Sequence, residues 1–322
     1  MTRVPILLTC DIHTHECPAE QVRQDLVNTR RALRELGLPC TFFFPSKSAQ
    51  LLRGEVEALV ADGHEIGCHG FTHEHSEQYS VLPLSEQRWL LGQATADLTA
   101  ILGKPPTSFR APVFKVSGHT MRVLDELGYV VDTSVPAQRL SVFGSDLYNM
   151  GPLVAPRRPY HPSWEGAYRR GSARVWEVPV SAWMLPFLSN TERLIGLPLM
   201  KLFFRGLHAE SRVTGKPIVF MLHAEDFNAE RGVSQRSRVS WRDFLPSSVH
   251  GFRFRSLLLE RDWSRVRLDL IALLRCMAGA RSVEFLTASA YAQRLSAERS
   301  AGGDTVEESR ELVLGAARSA AV

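Results

Sequence analysis

Apolar residues recur along this chain in two alternating rhythms. Short runs such as Val4-Pro5-Ile6-Leu7-Leu8 and Cys40-Thr41-Phe42-Phe43-Phe44 are almost unbroken, the mark of strands buried on both faces. Between such runs lie stretches with helical spacing. Over Ala19–Leu36 the stripe is Val22, Leu26, Leu33 and Leu36, and Gly37 ends it. The pattern predicts strands at 4–10, 40–44, 65–68, 108–110, 129–131, 175–180, 218–222 and 283–286. It predicts helices at 19–36, 49–61, 85–102 with Ser85 as N-cap, 118–127, within 190–213, within 257–277 and at about 288–297.

Strand–helix alternation of this kind means parallel strands joined by right-handed crossovers. A barrel and an open doubly wound sheet both fit. No glycine-rich phosphate loop follows the first strand, and polar clusters follow several different strands, which is the barrel pattern. Residues 1–298 are expected to form a single barrel, and 299–322 a loose tail. Residues 136–174, rich in Pro, Arg and Gly, break the rhythm. With Tyr160, Trp164 and Tyr168 to pack, they are expected to form a long ordered loop over the site. The segments 183–188 and 194–204 are unusually apolar but too short to span a bilayer. They line the core or the site, or touch a membrane surface or a lipid-linked substrate.

Composition narrows the class. At 44% hydrophobic and 22% charged, the 322 residues have the balance of a soluble globular protein. The N-terminus lacks the apolar core and cleavage site of a signal peptide, so the cytoplasm is the expected compartment, with membrane-peripheral contact as a variant. Five cysteines without CxxC spacing argue against a disulfide framework or a structural zinc knot. Cys10, Cys40 and Cys68, beside strands, read as small core residues. Net charge is +4, and arginines bunch at 157, 158, 169, 170 and 174, then at 231, 236, 238 and 242. These clusters suit a phosphate-bearing substrate, an anionic surface or a solvated loop equally. No aromatic-basic interleaving or known motif points to a nucleic-acid partner.

Chemistry gathers where strands end. Asp11, His13 and His15 alternate after the first strand, so an extended chain puts them on one face. His69 and His73 follow the 65–68 strand, four residues apart, a spacing that on a helical turn lets two imidazoles hold one ion. Arg110 precedes Ala-Pro and can grip a carboxylate in a fork of hydrogen bonds. Asp132 ends another strand, and His223, followed by Glu225 and Asp226, ends a buried one as a candidate general acid.

In this order the motifs resemble the polysaccharide deacetylase family, the NodB-type deacetylases of carbohydrate esterase family four. The stretches concerned are Thr9-Cys10-Asp11-Ile12-His13, His69 with His73, Arg110-Ala111-Pro112, Asp132, and Leu222-His223, within about residues 4–297. The resemblance implies a distorted (β/α) barrel of about seven strands and a hydrolase that removes an acetyl or formyl group from an amino sugar. It implies Asp11 as catalytic base, Arg110 as its positioner, His223 as acid tuned by Asp132, and a divalent metal, usually zinc, on His69 and His73. Where the family has a second metal-binding acid, this chain has His13, and the site becomes His13, His69 and His73, a sound donor set for zinc. His15 and His75 are spare candidates, read as outer or surface histidines. A backbone N–H near Val113 is expected to meet the oxyanion. With no export signal, a nucleotide- or lipid-linked precursor is the expected substrate. Two alternatives remain: a metal-independent hydrolase of another C–N bond, such as a cyclic ureide or imide, and a carbohydrate-binding barrel without turnover.

Overall fold

The computed structural model describes residues 3–14, 17–139, 150–231, 246–247, 251–252 and 262–301. Eight strands share one hydrogen-bonded sheet. β1 (Val4–Asp11), β2 (Thr41–Phe44), β3 (Glu65–Cys68), β4 (Ser108–Phe109) and β5 (Val131–Asp132) lie side by side in sequence order, with the Trp176–Glu177 strand beyond β5. The Ile218–His223 strand takes the other edge of β1, and every pair is parallel. The Val283–Leu286 strand pairs with Val4–Leu7 of β1. Because Ile6 and Leu7 already face residues 218 and 219, it occupies the side that β2 takes further along.

The two ends of the sheet meet. Ser181 N–H donates to the Val219 carbonyl, Val219 N–H donates to Ser181 Oγ, and Leu188 bridges Met221. These irregular contacts close the sheet into the expected distorted (β/α) barrel.

Alternation along β1 explains what faces where. Val4, Ile6, Leu8 and Cys10 sit in the large core beneath the helices. Leu7 instead joins Val131, Val178, Val180 and Val219 inside the barrel. Thr9 and Asp11, two and four residues further on, share that inward face. With both faces covered, the strands read as unbroken apolar runs. Phe42 and Phe44 are fully buried, and each contributes roughly 1.5–3 kcal/mol by leaving water. Helix 288–301 shuts one end: Ala288 N–H bonds Thr41 Oγ1 and Ser289 N–H bonds Glu65 Oε2, at the starts of β2 and β3. Polar side chains collect at the opposite end.

Helices α1 (Ala19–Leu36), α2 (Ser46–Leu51), α3 (Arg53–Ala61), α4 (Leu84–Leu102) and α5 (Gly118–Leu127) cover the outside. The single helix predicted over 49–61 is divided at Leu52, and α4 starts after Pro83, one residue before the Ser85 proposed as its cap. The apolar stretch 190–213 forms two helices, Ser189–Ile195 and Leu197–Thr214. They are split at Gly196, whose φ of 81° and ψ of 161° suit only glycine. The helix predicted within 257–277 is Trp263–Ala278; residues 257–261 lie outside the described set. The last helix runs on through residue 301, past the boundary expected at 298, and the rest of the expected tail lies outside the described residues.

The long loop departs from expectation. Its residues 160–174 form a hairpin that packs on α5: Trp164 Nε1 donates to Asp125 Oδ2, and Asp125 also accepts from the N–H groups of Arg174 and Val175. Tyr160 is buried and donates to the Ala167 carbonyl. This part of the loop lies against an outer helix, not over the site, because Asp125 gathers its backbone there. Residues 140–149 of the loop lie outside the described set.

Candidate active site

Asp11 closes β1, with His223 opposite it on one neighbour and Phe43 on the other. Arg110 follows β4 and is wholly buried. Its guanidinium donates to Asp11 Oδ1 at 2.8 Å, Thr9 Oγ1 at 2.9 Å, the Thr133 carbonyl at 3.0 Å and Thr133 Oγ1 at 3.1 Å. It also lies 4.7 Å from the centre of the Phe43 ring. The fork anticipated from sequence is therefore spread over three partners. Burial alone would raise the Asp11 carboxyl, but Arg110, then His69 and His223, outweigh it and hold the group below its ordinary value. Asp11 is a buried carboxylate kept ionised.

The backbone of Arg110 orients His69. The Arg110 carbonyl lies 2.8 Å from His69 Nδ1. A carbonyl only accepts, so Nδ1 carries the hydrogen and Nε2 the lone pair. That Nε2 is buried, has no hydrogen-bond partner among the described residues, and lies 3.9 Å from Asp11 Oδ2. Burial lowers the His69 pKa against the pull of Asp11, so the ring stays neutral. His13, His69 and His73 each offer a nitrogen, all within 4.8 Å of one another. The ring of His13 lies 5.7 Å from that of His69, 4.5 Å from that of His73 and 5.4 Å from that of His223, centre to centre. Converging imidazoles, with a buried lone pair on the neutral His69, fit a zinc-like cation.

His69 and His73 are not on a helical turn. Gly70 (φ 85°) and His73 (φ 66°) both take left-handed backbone, and the loop wraps around one buried carboxylate. Glu77 accepts from the N–H groups of Phe71, Thr72 and His73 at 2.6–2.8 Å, from Thr72 Oγ1 at 3.0 Å, and from the Tyr79 hydroxyl. A side chain at Gly70 would meet Glu77 Oε1 at 2.5 Å. Sequence reasoning missed Glu77; in the run Glu74-His75-Ser76-Glu77 nothing distinguishes the inward acid from the outward one. His75 is exposed, and His15 lies outside the described residues.

His223 borders the pocket. Its Nδ1 lies 3.4 Å from Ser189 Oγ and 4.0 Å from Asp226 Oδ2; Asp226 accepts the His223 N–H and is paired with Arg193. Asp132, expected to tune His223, is turned elsewhere. Val131 faces the barrel interior and Thr133 meets Arg110, so by alternation Asp132 points to the other side, where Ser134 donates to it. Burial pushes its pKa up to about 6, and it faces Glu177, itself raised well above its ordinary value by burial and then by the Asp132 charge. Both carboxyls are thereby pushed toward the protonated form.

At Arg110-Ala111-Pro112 the chain makes a tight turn in which Val113 (φ 55°) and Phe114 (φ 61°) are left-handed. A β-branched residue rarely adopts this conformation, and such strain gathers at functional sites. Arg157 pairs with Glu210, Arg169 with exposed Glu165, and Arg174 donates to the Asp125 carbonyl. Arg236, Arg238 and Arg242 lie outside the described residues. The thiols of Cys10, Cys40 and Cys68 are buried and raised, Cys68 to about 12, as inert core residues should be.

Residues 5–131, which carry Asp11, the histidines and Arg110, match the family model described as polysaccharide deacetylase. Through this segment, which is less than half of its length, the chain resembles the polysaccharide deacetylases. A peptidoglycan deacetylase-like protein of Gibberella zeae is 30% identical over 106 residues, 33% of this chain and 30% of its own length. The peptidoglycan deacetylase of Helicobacter pylori is 27% identical over 105 residues, 33% of this chain and 35% of its own. The matched part thus spans about a third of each relative. A structure from Mycobacterium smegmatis classed with the polysaccharide deacetylases superposes with a TM-score of 0.61 at 17% identity, over 93% of this chain and 92% of that one. Puue allantoinase gives 0.59 at 14% identity, over 92% and 91%. These two establish the fold of nearly the whole chain as that of the polysaccharide deacetylase barrels.

Proposed function

We propose that this protein is a metal-dependent hydrolase that removes an N-acetyl or N-formyl group from an amino sugar, acting in the cytoplasm on a lipid- or nucleotide-linked precursor. One observation carries the reading: three imidazole nitrogens converge within 4.8 Å of one another beside the carboxylate that Arg110 keeps ionised. The matched relatives, a peptidoglycan and a chitin deacetylase among them, support the same chemistry.

His13, His69 and His73 would hold the ion, most simply zinc, whose positive charge makes an amide carbonyl more electrophilic and nearby water more acidic. Asp11, ionised and fixed by Arg110, takes the proton from the attacking water. A backbone N–H near Val113 would meet the developing oxyanion, while those of Phe114 and Lys115 are given to the Ala111 and Pro112 carbonyls. His223, whose ring lies 5.4 Å from that of His13 and which Ser189 and Asp226 steady, returns a proton to the leaving amine. Asp132 is left out of this relay.

In zinc-loaded protein, Asp11→Asn should cut turnover of an N-acetylated amino sugar by about a hundred- to ten-thousandfold. Metal content should stay unchanged. Full turnover in that variant would refute the assignment of the base.

A further inference from the structure

The part of the barrel that the reaction does not use carries an exposed apolar collar. On the Leu197–Thr214 helix, Leu199 and Leu202 are 54% and 62% exposed and share a stripe with Gly206. The Trp183 ring lies on that glycine, where a Cβ would come within 2.1 Å of it, and stacks on Phe203 at 5.5 Å. Trp183 itself is 42% exposed, and the next residue, Met184, is 64% exposed in a left-handed conformation. Met184 bridges Arg139, and Gln138 N–H bonds the Pro152 carbonyl, which brings up Met150, Leu153 and Val154, all exposed. Scattered exposed leucines need no explanation, but seven large apolar residues on linked segments do.

The exposed charges on these described segments are basic. Lys201 and exposed Arg205 lie on the helix and exposed Arg158 follows the 150–154 turn; the acid of that helix, Glu210, is already held by Arg157, Lys216 and Trp183. The collar also adjoins the pocket. From the Ala182–Trp183 and Leu185–Pro186 hairpin the chain runs directly to Ser189, which contacts His223. Among the described residues no helix is long and apolar enough to cross a membrane.

We propose that this collar docks the protein on an anionic lipid bilayer, its apolar side chains in the interface and its basic ones at the headgroups. Docking there turns the pocket toward a substrate carried on a lipid, which deepens the functional reading above and rests on it for the substrate only. The test uses no turnover. The full chain is mixed with vesicles of phosphatidylglycerol and phosphatidylethanolamine, or of phosphatidylcholine alone, and sedimented. Wild-type protein should partition onto the anionic vesicles, less so as salt rises. Leu199→Glu with Leu202→Glu should lower the partition coefficient about a hundredfold, and Lys201→Glu with Arg205→Glu about tenfold or more. Both pairs should keep wild-type zinc binding. No partition of the wild type, or equal partition of the leucine variant, overturns the proposal. So does a wild-type dimer that the leucine variant converts to monomer, because a second copy would then cover the collar. Vesicle binding without any deacetylation would leave the docking intact and sink the functional reading alone.

Discussion

Arg110 ties the site together at the residue scale. Its backbone carbonyl fixes the tautomer of His69 while its guanidinium holds Asp11, so one residue, through main chain and side chain, sets both the donor and the base. Replacing it by Met leaves a buried carboxylate without its cation. Arg110→Met should lose about 3–5 kcal/mol in chemical unfolding, and the Asp11 pKa should rise. Glu77 acts at one remove, by gathering the N–H groups that shape the His69–His73 loop. Glu77→Gln keeps the shape but turns one acceptor oxygen into an NH2 donor facing those N–H groups, so it should lower the melting temperature of the metal-free protein and weaken zinc binding by about 10–100-fold in a chelator competition. Unchanged affinity would make Glu77 merely structural. Asp11, His13, Arg110 and His223 were legible because each closes or follows a strand. Glu77 was not, since only the folded turn decides which of several neighbouring acids faces inward.

At the scale of elements, alternation both served and misled. Reading Asp11 and His13 as one face of an extended chain agrees with their place in the structure, where each lies near His69. The same rule, applied to β5, turns Asp132 away, and its sequence position at a strand end hid that. Its pairing with Glu177 has a pH signature. Both carboxyls have folded pKa values above the roughly 3.9 and 4.3 of an unfolded chain. As pH rises, the unfolded chain gives up these protons first. The pair therefore costs stability from about pH 4 upward, through the Asp132 value of about 6 and beyond it for Glu177. Glu177→Gln removes one acid and offers an amide N–H to Asp132. Urea unfolding across this range should find the wild type losing more stability with rising pH than the variant, by up to ~1.4 kcal/mol per pH unit. Parallel profiles would contradict the raised pair. The break at Gly196 was invisible in the periodicity, because the apolar stripe runs on through a residue whose backbone the helix cannot accept.

For the molecule as a whole, the alternation of strands and helices carried the fold, and the closure of the barrel did not appear in it. Closure rests on Ser181, Val219 and the bridge of Leu188 to Met221, contacts between segments far apart in sequence that no local pattern encodes. Residues 160–174 of the expected loop lie against α5 for a related reason: their aromatic residues signalled packing but not the partner, which is α5 with Asp125. The site likewise depends on long-range convergence, since His13 and the His69–His73 pair come from different loops. A crystal of the full chain soaked in zinc, with anomalous data on either side of the zinc edge, tests that convergence directly. The account predicts one strong peak about 2.0–2.1 Å from a nitrogen of each of His13, His69 and His73, next to Asp11. A peak bound by other residues, or none at these three imidazoles, would contradict it.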